Sequence, residues 1–213
     1  MEAASVYKGR AFARREMARR MTTATRKPRA DSARNRERLL LSAAEVFRTG
    51  GGAASLEAVA RHAGVGIGTL YRHFPTREAL FEAVYRREVE QLAQLAEDLS
   101  GGDDPVGALR RWLHANIALV ATKKGMLAAL ALAVDGSSDL YAYSRVRLTG
   151  AIARLLEPAV KAGALRGDVE AEDILHTLVG MCLLRKEPGW EDTVIRLVDI
   201  FLDGLRLRPG GAA

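Results

Sequence analysis

The chain reads as an all-α protein: three N-terminal helices, a long connecting helix, and a larger C-terminal helical bundle. Three observations predict this. Apolar residues recur at helical spacing, as in Leu56, Val59, Ala60 and Ala63, which stand at i, i+3, i+4 and i+7. Hydroxyl caps and Gly or Pro stops bracket these runs, as with Ser55 before and Gly64 after that one. No stretch alternates apolar and polar residues as a strand would, and no internal repeat appears.

The elements follow in order. Residues 1–33 form a basic arm, carrying Arg14-Arg15, Arg19-Arg20 and Arg26-Lys27-Pro28-Arg29, and are expected to be disordered. Asp31 or Ser32 can cap a first helix over 33–49, with Leu40, Ala43, Ala44 and Phe47 on its inner face and Gly50-Gly51-Gly52 ending it. Ser55 caps the second helix, because its hydroxyl can accept from a free amide of the first turn. Gly64 closes that helix, since a glycine takes the left-handed conformation without steric cost. Val65 plugs the turn, and a short third helix spans about Gly66 to Phe74, with Leu70 and Phe74 inward. Pro75 breaks the chain and Thr76 caps a fourth helix running to about Leu99. Its stripe Leu80, Phe81, Val84, Tyr85, Val89, Leu92, Leu95, Ala96 and Leu99 serves both halves of the molecule. At 1.5 Å per residue it is about 35 Å long, a lever between them.

Beyond the break at residues 100–104, Pro105 suits the first position of a helix to about Thr122. A short apolar helix over Met126–Val134 follows, then a long one over about 139–162 that Pro158 should kink or end. Helices over about 170–185 and 190–207 complete the chain. One carries Ile174, Leu175, Leu178, Val179, Cys182 and Leu183, the other Val194, Leu197, Val198, Phe201, Leu202 and Leu205. Residues 209–213 are expected to be a disordered tail.

A helix, a short glycine turn and a small second helix make a helix-turn-helix. The outward side of the small helix carries Thr69, Tyr71, Arg72 and His73, which can all donate hydrogen bonds to phosphates or base edges. A short glycine turn alone is common in any helical bundle, so the composition of that face adds the weight.

The run Gly64-Val65-Gly66-Ile67-Gly68-Thr69-Leu70-Tyr71-Arg72-His73-Phe74-Pro75-Thr76-Arg77-Glu78-Ala79-Leu80 resembles the signature of tetracycline-repressor-like (TetR family) regulators. Residues Arg38 to Phe47 resemble that family's first helix, so the likeness covers about 34–85. It implies a DNA-binding domain over 34–85 and an effector-binding and dimerisation domain over 86–208. It further implies that Tyr71 and His73 contact phosphate and that Thr69 and Arg72 read bases. Ile67 would touch a thymine methyl. Gly66 leads this helix, and Ser55 and Arg77 would hold flanking phosphates through backbone amides. Met21 heads a sequence like the ordinary short leader of such proteins, an alternative start to Met1.

Charge agrees with a polyanion-binding end. Residues 1–85 hold 16 basic and 8 acidic side chains, whereas the whole chain is only +6. Residues 1–30 alone supply 9 basic and 2 acidic of these, so the helix-turn-helix itself is nearly neutral. Cys182 is the sole cysteine, which fits a reducing, cytoplasmic setting. No apolar run reaches the length of a membrane span, and the basic, polar first 30 residues lack the apolar core of a signal peptide. No nucleophile with a base, acidic pair or phosphate loop suggests an enzyme. The four histidines show no metal-ligand spacing, and no cofactor is expected.

The family likeness implies that the last two helices pair with their mates in a homodimer, and that the bundle encloses an effector pocket. Candidate lining residues are Trp112, Asn116, Met126, Tyr141, Tyr143, His176 and Met181. The expected function is a repressor that binds double-stranded operator DNA and is released by a small-molecule effector. A helix-turn-helix activator, a regulator without an effector, and a non-specific DNA-binding protein are the alternatives.

Overall fold

The computed structural model describes residues 31–50, 54–129, 139–183 and 189–207. Eight α-helices lie among them: α1 over 31–49, α2 (Leu56–His62), α3 (Ile67–His73), α4 (Arg77–Leu99), α5 (Pro105–Ala129), α6 (Asp139–Lys161), α7 (Ala171–Leu183) and α8 (Trp190–Gly204). The fold is all-α. The sole strand-like feature among the described residues is an isolated antiparallel bridge between Leu165 and Arg206. No described helix is long and apolar enough to cross a membrane. The basic arm to residue 30, Gly51-Gly52, residues 130–138, most of the 186–189 linker and the tail lie outside the described residues.

The N-terminal unit closes on Leu39, Leu40, Ala43, Phe47, Val59, Leu70, Phe74 and Leu80, all buried. Each of these side chains other than Ala43 contributes about 1.5–3 kcal/mol when fully buried. Helix α4 leaves this unit and packs most extensively on α6, then on α5. Its side chains Tyr85, Val89, Leu92 and Ala96 are buried in the second half of the molecule. There Trp112, Leu109, Leu113, Ile117, Ile152 and Leu155 form a core, closed at its far side by α7 and α8.

Two expectations are corrected. Helix α1 already includes Asp31 and Ser32, so neither caps it at 33. Helix α5 does not stop at Thr122; it continues through Lys123, Lys124 and Gly125, so Met126 begins no separate helix. The cause is tertiary. A Cβ on Gly125 would stand 1.7 Å from the Phe47 carbonyl oxygen, so glycine there lets α5 lie against the end of α1. Helix α6 accommodates Pro158 and ends only at Lys161. Proline there lacks the amide that would pair with the Arg154 carbonyl, and the helix runs only three residues beyond it. The apolar faces of the last two helices are covered in part within the protomer, with Val179, Leu197 and Phe201 half-buried. Ile174, Leu175, Leu178, Cys182, Val194, Val198, Leu202 and Leu205 are all buried, leaving Leu183 and Ile200 exposed.

Candidate nucleic-acid interface

The small helix α3 is held from beneath and open above. Leu70 and Phe74 anchor it, at 1% and 2% exposure, while Ile67, Tyr71 and Arg72 face outward. Its N-cap is Gly66 in extended conformation, with no side-chain bond to the first turn. Amides at its start are therefore left for an outside acceptor.

Two caps set the neighbouring helices. Ser55 Oγ accepts from the Ala58 amide at 3.1 Å, and Thr76 Oγ1 accepts from the Ala79 amide at 3.1 Å. The turn between α2 and α3 depends on Gly64, whose φ is +63°. Arg38 of α1 donates from Nη2 to the Ala63 carbonyl and, at 3.4 Å, to that of Gly64. It thus takes up carbonyls that the end of α2 leaves unpaired. His62 Nδ1 lies 3.1 Å from the buried Ser42 Oγ, a second tie between α1 and α2. The Arg36 guanidinium sits 5.2 Å over the Phe74 ring, closing the lower edge of α3.

On the outer edge, Arg72 folds back along its own helix. Its Nε donates to the Gly68 carbonyl at 3.2 Å, and its Nη2 to Thr69 Oγ1 at 2.8 Å. The two candidate base readers are therefore one hydrogen-bonded unit, with the other guanidinium N–H groups free to point outward. His73 is half-buried, its ring 6.3 Å from that of Phe74. Thr69, Arg72 and His73 share an open cleft with Asp31, Ser32 and Asn35 of α1. Tyr71 stands apart from that cleft on the same helix, and Arg77 begins α4, exposed. Sequence reasoning missed Arg38 and Asn35. Both lie on the polar side of α1, and only the packing of α1 against the turn gives them a role.

The candidate pocket residues do not form one set. Trp112, Asn116 and Met126 are buried in the bundle. Trp112 Nε1 donates to the Leu92 carbonyl at 2.7 Å, tying α5 to α4. Tyr141 lies beside Tyr85, ring centroids 6.1 Å apart, and Met181 is half-buried on α7. Tyr143 turns outward, hydrogen-bonding Glu90 beneath the Arg86 guanidinium. His176 is exposed, with Nε2 3.9 Å from Glu172. The helical phase that puts Leu175 and Leu178 inside puts His176 outside. Burial pushes the Cys182 thiol up to about 12, so it is an unreactive core group. No group of three or more potential metal ligands occurs among the described residues.

A helix-turn-helix on a rigid three-helix base, joined through a shared helix to a second helical unit, defines a two-part DNA-binding regulator. Residues 39–84 match the family described as bacterial regulatory proteins, tetR family. Residues 104–207 match the SbtR-like transcriptional regulator C-terminal domain. A TetR transcriptional regulator of Streptomyces coelicolor, SCO0520, is 41% identical, with 82% of this chain and 99% of that one covered and a TM-score of 0.70. A TetR regulatory protein of Mycobacterium vanbaalenii is 32% identical over 84% of this chain and 99% of that one, with a TM-score of 0.63. The HTH-type transcriptional regulator SAR0097 of Staphylococcus aureus is 32% identical over 76 residues, a match spanning 35% of this chain and 40% of that protein. The chain belongs to the TetR family of transcriptional regulators.

Proposed function

We propose that this regulator is a cytoplasmic repressor. In this reading a homodimer, with reading heads over 34–85 and effector and dimerisation domains over 86–208, binds a two-fold operator and leaves it when a small molecule enters the bundle. The observation that carries the reading is the outer edge of α3, where half-buried Thr69 and exposed Arg72 are joined above a buried Leu70–Phe74 anchor. A preorganised guanidinium suits a bidentate contact to a guanine edge. Tyr71 and His73 reach phosphate beside it, Ile67 meets a thymine methyl, and the first amides near Ser55, Gly66 and Arg77 hold the backbone. Exposed Leu183 and Ile200 on α7 and α8 favour a partner copy on that side.

Release follows if the effector prefers a different tilt of α4, so that two recognition helices no longer match the groove repeat of about 34–36 Å. A coupling of roughly 1–3 kcal/mol would weaken binding about 5- to 150-fold. The test is selection of bound duplexes from a random pool. A recovered motif with two-fold symmetry is expected. Recovery of no motif, with retention set by salt alone, would overturn the reading in favour of non-specific binding.

A further inference from the structure

A polar seam inside the bundle has hydrogen-bonding groups that the fold does not use. Helix α5 turns Trp112 and Lys123 toward α4. Trp112 reaches the Leu92 carbonyl of α4. Lys123 Nζ lies 5.5 Å from the Tyr85 ring centre of α4 and 4.3 Å from that of Tyr141 of α6. Asn116 shares their face of the helix, about 40° from Trp112 and about 20° from Lys123 in helical phase at roughly 100° per residue.

Asn116 is 1% exposed, and neither its Nδ2 nor its Oδ1 has a hydrogen-bond partner. A buried amide left so destabilises the fold, and an apolar residue of similar size would avoid that. Lys123 is half-buried against two phenol faces, and its burial lowers its pKa. Among the described residues no carboxylate pairs with it. The nearby hydroxyls are already engaged: Tyr85 donates to Ser144 Oγ at 3.4 Å, and Ser144 donates to the Tyr141 carbonyl at 2.9 Å. The seam thus offers a cation at one end. About 10 Å along the helix, seven residues at 1.5 Å each, it offers an amide with donor and acceptor both open.

We propose that the effector is an elongated organic anion, whose carboxylate pairs with Lys123 while a hydroxyl or carbonyl about 10 Å away meets the Asn116 amide. This rests on the reading that the bundle takes an effector, and names its chemistry. It also supplies a route to the reading head. Two residues beyond Lys123, α5 touches the Phe47 carbonyl of α1 at Gly125. An anion drawing Lys123 acts on the segment that bears directly on the helix-turn-helix.

Thermal unfolding of the full chain with 8-hydroxyoctanoate, octanoate and octane-1,8-diol tests it. The hydroxy acid should raise the melting temperature, the diol should not, and octanoate should bind about tenfold more weakly than the hydroxy acid. Lys123→Met should abolish the effect of both acids. Asn116→Leu should melt at or above the wild-type temperature without additive and bind the two acids equally. The inference is overturned if neither acid shifts the wild type, if the diol acts as well as the hydroxy acid, or if Asn116→Leu alone unfolds several degrees early. Scoring the same samples for duplex preference separates the failures. Preference retained with no response to carboxylates sinks this inference alone, whereas no preference at all sinks the regulator reading beneath it.

Discussion

Gly64→Ala probes the joint that aims the recognition helix. Two costs arise at once. The backbone there has φ +63°, and a residue with a Cβ pays roughly 1–2 kcal/mol for the left-handed conformation. The new methyl would also stand 2.8 Å from Arg38 Nη2, displacing the guanidinium from the Ala63 carbonyl. A hydrogen bond from a charged group is worth about 1.5–3 kcal/mol. Alanine stiffens the unfolded chain and offsets roughly 0.4–1 kcal/mol. The sum spans about 1.5–4.6 kcal/mol, and because the guanidinium ends a flexible side chain the loss should fall in its lower half. Urea unfolding followed by circular dichroism should show a lower midpoint at unchanged slope. Because the second cost runs through one side chain, Arg38→Ala should destabilise the Gly64→Ala background less than it does the wild type. Gly64→Asn should be milder than Gly64→Ala, since asparagine tolerates the left-handed region. A loss below about 0.5 kcal/mol, or strict additivity with Arg38→Ala, would refute the reasoning.

Other perturbations follow from the same contacts. Glu88 is buried enough that its carboxyl titrates above the ordinary value of 4.5, with Arg87 and Arg48 only partly countering burial. A raised carboxylate pKa means that the residue's destabilisation is absent below 4.5, grows as pH rises from there toward the folded value, and is complete above it. Glu88→Gln should therefore raise the melting temperature at pH 7.5 and leave it unchanged at pH 4, as differential scanning fluorimetry can read. Gly125→Ala forces a methyl onto the Phe47 carbonyl. Overpacking of this kind should cost about 1–3 kcal/mol in urea unfolding and weaken duplex binding in the same protein.

Local chemistry made much of this fold legible. Ser55 and Thr76 cap because a hydroxyl placed before an amphipathic run has few better partners than the free amides beside it. Gly64 ends its helix because the left-handed position excludes most other residues. What stayed hidden was what each face packs against. Gly125 reads as a break, yet it is a place where two backbones meet inside a continuous helix. The apolar stripes of α7 and α8 showed that those faces are covered, and periodicity could not tell a neighbour in the same chain from a second copy. At the site, the identities of Thr69 and Arg72 were readable, but their hydrogen bond to one another was not. Arg38 and Asn35 escaped notice because they sit among the solvated charges of α1, where only the placement of the α2–α3 turn distinguishes them. His176 is exposed because helical phase turns it away from the face that carries Leu175 and Leu178.

The central claim is that the Thr69–Arg72 edge of α3 reads base identity. The direct measurement is fluorescence anisotropy of wild type and Arg72→Ala on a selected duplex and on its single-base variants. For the wild type, one base pair per half-site should cost about 1–3 kcal/mol when changed, and Arg72→Ala should lose that discrimination while keeping it elsewhere. An Arg72→Ala protein that still distinguishes every base pair as the wild type does would contradict the account.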